Sequence, residues 1–137
     1  MGAGRMNVMP GRIMWFAIAI GLLADNFISL IITAISQQYD PELGQQITFA
    51  TGAGSITAIL LVLSTGFGGW LAGRLAKTEH VLHGALVGGL GIIILLFTSL
   101  FGAEPVPLIN TLLQCVAVVV GGLGGWLSQW IPKQPQQ

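Results

Sequence analysis

One carboxylate stands where a carboxylate is expensive. Asp25, followed by Asn26, lies near the middle of the first of four long apolar stretches, and it is the only charge clearly inside any of them. An Asp at the centre of a membrane helix costs roughly 2.5 to 3.5 kcal/mol on insertion scales, so it is ordinarily partnered, neutralised or functional. Two kinds of chemistry follow. A neutral Asp25 carboxyl can donate one hydrogen bond and accept others, forming a polar clasp that fixes helix register. Alternatively, the same group can be a proton or cation site on a transport path. Gln114 is the other strongly polar side chain at depth, and no Lys or Arg accompanies it. Counting about 1.5 Å per residue from the outer end of the first stretch puts Asp25 roughly 15 Å deep. Thr57, Gly91 and Gln114 share that layer. Asp25 is therefore expected against Gln114, Thr57 or Ser55, with Gly91 leaving room.

The elements that must position these residues are four apolar segments, approximately Ile13–Ile35, Ile47–Gly73, Val81–Phe101 and Val106–Ile131. Each reaches the ~20 residues a span needs. The chain has 137 residues, 53% of them hydrophobic and 7% charged, with a mean hydropathy of +0.81. Soluble domains carry about 25% charged residues, so the composition predicts a single all-α, four-helix membrane domain over residues 13–131. Residues 1–12 and 132–137 read as short polar ends. Apolar character continues past Asp25 to Ile35, longer than the ~7–15 residues of a signal-peptide core.

Charge placement predicts orientation. Arg5, Arg12, Arg74, Lys77 and Lys133 all fall on one face of a four-span layout, and Asp40, Glu42 and Glu104 on the other. The positive-inside rule makes the basic face cytoplasmic, with both termini inside, and Trp15, Trp70, Trp126 and Trp130 lie near it as interfacial anchors. Net charge is zero, which offers nucleic acid no basic field. The expected location is a cell membrane, specifically a bacterial inner membrane.

Small residues mark the packing faces. Gly69 and Gly73, Gly84 and Gly88, and Gly121 and Gly125 each stand four apart, the spacing that lets helices approach closely in lipid. On the first span Ala17, Gly21, Asp25, Ser29, Ile32 and Ser36 follow helical spacing down one side; this stripe is expected to face protein. Gly66-Phe67-Gly68-Gly69-Trp70-Leu71 recurs as Gly122-Leu123-Gly124-Gly125-Trp126-Leu127, 56 residues on. Both copies point the same way, which suggests a parallel duplication of a two-helix hairpin.

Other polar sets carry less. Arg74, Lys77 and His83 could meet anionic lipid head groups at the cytoplasmic interface. Glu79, His80 and His83 are too few for a convincing metal site. Ser64, Thr65, Thr98, Ser99 and Thr111 can bond their own backbone. No nucleotide, zinc or nucleophile–base motif is visible, so neither a cofactor nor catalysis is expected. Cys115 is single and forms no internal disulfide.

Gly68-Gly69-Trp70-Leu71-Ala72-Gly73-Arg74-Leu75-Ala76, then His83-Gly84-Ala85-Leu86-Val87-Gly88, resembles a loose group of small, uncharacterised bacterial four-span membrane proteins. Their pattern is Gly-Gly-aromatic-x-Ala-x-Arg closing span 2 and His-Gly opening span 3. An Asp in span 1 and a second Gly-Gly-aromatic in span 4 belong to the same pattern. Trp70 stands where Tyr is more usual, and Gly73 where Ala is common. The resemblance implies the architecture and a polar set of Asp25, Arg74 and His83, with no activity attached.

Two functions are consistent with these residues. One is a non-catalytic accessory or scaffold subunit of a membrane assembly, or a homo-oligomer, with Asp25 as the clasp and the glycine faces as docking surfaces. The other is a small proton- or cation-coupled transporter or channel using Asp25 and Gln114. An enclosed wet cavity around Asp25 would favour the second; a dry, filled layer there would favour the first.

Overall fold

A computed structural model describes residues 13–41, 51–102 and 108–130. They form four helices: α1 (Trp15–Tyr39), α2 (Gly52–Leu75), α3 (His80–Phe101) and α4 (Leu108–Leu127). All four are long and apolar enough to cross a membrane. In lipid every backbone N–H and C=O must be satisfied within the segment, which leaves the helix as the form open to apolar stretches of this length. The glycines that would weaken a helix in water are common in such spans. The molecule is an all-α four-helix bundle and a multi-pass membrane protein. Its exterior agrees: Leu23, Phe27 and Leu30 on α1, Phe97 and Leu100 on α3, and Leu112 and Val119 on α4 are exposed. A soluble protein rarely leaves so much apolar surface uncovered.

The helices alternate in direction. Met14, Arg74, His80 and Ser128 meet at one end, with Lys77 in the short α2–α3 connection. The arginine and lysine of this end are joined by Trp15, Trp70, Trp126 and Trp130. Arg74 lies over the Trp70 ring, 5.5 Å from its centroid, and Trp126 and Trp130 make an edge-on pair at 5.5 Å. Arg5, Arg12, Glu42, Glu104, Lys133 and the two polar chain ends lie outside the described residues.

Two boundaries differ from the expectation, with a consequence for the site. α1 continues to Tyr39, four residues past Ile35, and α2 begins at Gly52, five past Ile47. Thr51 is extended there and its Oγ1 caps the helix by accepting the Gly54 N–H at 3.1 Å. The hairpin between α1 and α2 therefore closes further along the chain, and the facing residues slide by about two turns.

Packing at the basic end is backbone on backbone. A Cβ added at Gly69 would strike the Gly121 carbonyl, and one at Gly73 the Gly125 backbone and the Ser128 hydroxyl. Gly84 is pressed against Gly121 and Gly125, and Gly88 against Ala117 and Val118. Gly21 meets Gly68, Ala72 and Val87. The six paired glycines and Gly21 thus pack within the chain. The two Gly-Gly-Trp copies lie side by side on parallel helices, with Gly124 against the Gly66 carbonyl and the Trp70 amide. The side-chain core is small: Ile18, Ala72 and Val87, with Leu22, Leu86 and Leu90 around them.

Candidate functional site

The stripe on α1 turns towards α2. Ala17 and Gly21 are buried, and the polar members below them bond across the seam. Asp25 Oδ1 accepts the Ser64 hydroxyl at 2.6 Å and the Thr65 hydroxyl at 3.2 Å. The Thr65 hydroxyl is also 3.2 Å from Oδ2. Ser29 Oγ lies 2.8 Å from Ser64 Oγ and 3.5 Å from Asp25 Oδ1. Each hydroxyl has one proton to give. The consistent assignment is therefore a chain: Ser29 donates to Ser64, and Ser64 donates to the carboxylate. Among the described residues no cationic side chain contacts Asp25.

Thr57 is not in this cluster. It donates to the Ala53 carbonyl at 2.9 Å and lies 2.8 Å from the Ser36 hydroxyl. The shift in hairpin closure accounts for this: the residues facing Asp25 are Ser64 and Thr65, about two turns beyond Thr57. Those two had been read as bonding their own helix. They do approach the Leu61 carbonyl, at 2.8 and 3.4 Å, but their hydroxyls also serve the carboxylate. Asn26 turns back, donating to the Leu22 carbonyl at 2.8 Å.

Gln114 does not bond Asp25. Its Nε2 donates to the Gly88 carbonyl at 3.2 Å, and its amide fills the space that Gly91 leaves open. Gly91 and Gln114 thus share a layer, as depth counting had it. A carbonyl can only accept, so the bond to Gly88 fixes the amide orientation and leaves Oε1 as an acceptor.

Between these groups is a half-open cleft of about 330 Å³. α2 forms its floor, α1 one wall, and α3 with α4 the other. Asp25, Asn26, Thr65, Asn110 and Gln114 bring polarity to it, and Leu22, Leu61, Ile94, Leu95 and Leu113 line the rest. It occupies the half of the bundle away from the basic end. Asn110, absent from the sequence-based set, has a buried Oδ1 with no hydrogen-bond partner among the described residues. Its signal was available: one helical turn before Gln114, it is the next polar residue along the same face of α4.

His83 corrects another expectation. It was placed among head groups, yet it is fully buried. Its Nε2 accepts the Met14 N–H at 2.8 Å, and its Nδ1 donates to the Glu79 carbonyl at 2.8 Å. Both bonds require the neutral imidazole with its proton on Nδ1. Met14 starts α1, its carbonyl accepting from Ala17 and Ile18. His83 therefore ties the start of α1 to the start of α3. The signal was its position in phase with Gly84, Val87 and Gly88, the buried face of α3. His80 donates from Nδ1 to the Gly73 carbonyl, closing the α2–α3 turn, in which Glu79 adopts a left-handed conformation with φ 54°. Of the interfacial set, Lys77 is exposed and Arg74 half-buried. Among the described residues no three His, Cys, Asp or Glu side chains gather as metal ligands.

No protein family, curated protein or solved structure matches this chain.

Proposed function

We propose that this chain is a small, non-catalytic membrane transporter or channel that binds a proton or monovalent cation at Asp25 from the cleft in front of it. One observation carries the reading: the only carboxylate within the spans lies on the wall of an open cavity with amide and hydroxyl groups around it. A carboxylate that served only to lock α1 onto α2 needs its hydroxyl partners and no cavity. Ionisable groups within spans characteristically mark ion and proton paths.

The accessory-subunit reading rested on spare glycine faces. Gly69, Gly73, Gly84, Gly88, Gly121 and Gly125 are engaged inside the bundle, which takes away that support. One observation still favours a clasp: the hydroxyl bonds to Asp25 that span two helices. Arg74, Lys77 and the tryptophans favour a cytoplasmic basic end in a bacterial inner membrane, with the cleft facing the opposite side.

The test is flux in proteoliposomes carrying the wild type or Asp25→Asn, with pH, Na⁺, K⁺ and small organic ammonium gradients applied in turn. The expected result is a wild-type flux above that of empty vesicles, lost in the variant while its thermal unfolding is near normal. Wild-type vesicles indistinguishable from empty ones under every gradient would overturn the reading and return the weight to the clasp.

A further inference from the structure

We infer that the occupant of the Asp25 cleft is a compact organic monocation, a primary alkylammonium in class, rather than a bare proton or an alkali ion. This deepens the reading above and rests on it.

The argument starts from the shape of the wall. A proton needs a carboxylate and a water path, not a chamber. The cleft measures about 330 Å³, while a water occupies about 30 Å³ in the liquid. Small organic ligands are bound in cavities of roughly 300–1,000 Å³, lined mainly by apolar side chains with a few placed polar groups. This cleft has that composition, with Leu22, Leu61, Ile94, Leu95 and Leu113 beside its polar members. An alkali ion would leave those leucines and isoleucines facing water. An alkyl chain would cover them.

The polar members select the head group. Asp25 Oδ1 is taken up by Ser64 and Thr65, whereas Oδ2 has only the shared Thr65 hydroxyl at 3.2 Å. Gln114 has committed its Nε2 to the Gly88 carbonyl and retains Oε1 as an acceptor. Gln114 Oε1 is thus an acceptor from α4 on the cleft that Asp25 also lines, and the one charge is a single carboxylate on α1. A group with one positive charge and several N–H donors complements this set; an ammonium has three donors and no acceptor. The free Gln114 oxygen is the second observation, independent of Asp25.

The experiment is calorimetric titration of the full chain in lipid nanodiscs, with empty nanodiscs subtracted, using n-butylammonium chloride, n-butanol, NaCl and KCl. Saturable binding of n-butylammonium is expected, with n-butanol weaker by at least about tenfold, since the alcohol leaves the carboxylate unpaired. Asp25→Asn should lose at least about tenfold in affinity for the ammonium. Gln114→Leu should lose several-fold while unfolding near normally, which keeps the proposal testable if the Asp25 variant misfolds. Equal binding of n-butanol would overturn it, making the cleft an apolar slot such as a lipid chain fills. Saturable Na⁺ or K⁺ binding without n-butylammonium binding would overturn the organic class and leave the cation reading standing. No response to any of the cations, with Asp25→Asn flux unchanged, would remove both.

Discussion

At the scale of single residues the molecule separates groups that hold Asp25 from groups that only share its surroundings. Ser64 makes the shortest bond to the carboxylate, at 2.6 Å. Ser64→Ala removes that donor and breaks the chain from Ser29. A membrane hydrogen bond of this type is worth about 0.6 to 2 kcal/mol, so destabilisation in that range is expected, together with weakened Asp25-dependent binding. Thr57→Ala loses its link to Ser36 and should destabilise by a similar amount, yet leave binding untouched. Chemical unfolding in mild detergent, paired with titration of the same variants, separates the two. Binding impaired equally in both would mean that the α1–α2 seam acts only through its overall stability. His83 is a different case, since its ring accepts an amide from one helix while donating within another. His83→Phe fills the space but strands the Met14 N–H, at about 1 to 3 kcal/mol for a buried unsatisfied group, while the Glu79 carbonyl keeps the backbone N–H of residue 83. Faster amide exchange confined to the first turns of α1 is the expected mark, and unchanged exchange there would show that the tie holds nothing.

At the scale of helices the controlling quantity is how closely two backbones approach. Gly84 touches Gly121 and Gly125, whereas a Cβ added at Gly89 would have nothing within 4 Å. Gly84→Ala must push α3 and α4 apart, and overpacking of this kind costs about 1 to 3 kcal/mol. Gly89→Ala meets no obstacle and gains helix propensity, up to about 1 kcal/mol. Thermal unfolding followed by circular dichroism should therefore move in opposite directions for two alanines five residues apart on one helix. The glycine spacing and the α1 stripe were legible in the sequence because both are periodic, and helical periodicity survives without knowledge of the loops. The partners of Asp25 were not legible, because they depend on where the α1–α2 hairpin closes. Nothing apolar changes at Ile35 or Ile47 to mark that closure; the helix simply runs on to Tyr39, and Thr51 caps the next one. His83 was misread for a related reason: a histidine beside Glu79 looks interfacial by composition, and its burial follows from the phase of Gly84, Val87 and Gly88.

At the scale of the whole molecule the bundle has two unlike halves. Towards the basic end α2, α3 and α4 are locked by glycine contacts, and His83 draws α1 in. Away from it the cleft separates α1 from α3 and α4, and among the described residues α1 is tied there to α2 by Ser36 with Thr57. Opening free energies follow local packing, so the loosely held half should open first. Exchange in a membrane requires water at the amide, which a hydrated cleft would supply. Hydrogen exchange in nanodiscs should therefore be faster at residues 30–39 and 95–101 than at 66–75 and 121–127. A gradient of this kind would place the hinge of α1 near Gly21, where it meets Gly68 and Val87, so that outward motion of its far half widens the cleft without disturbing the glycine lock. Uniform protection along all four helices would mean that the cleft is closed and dry in lipid, and Asp25 would then be left as the polar clasp between α1 and α2.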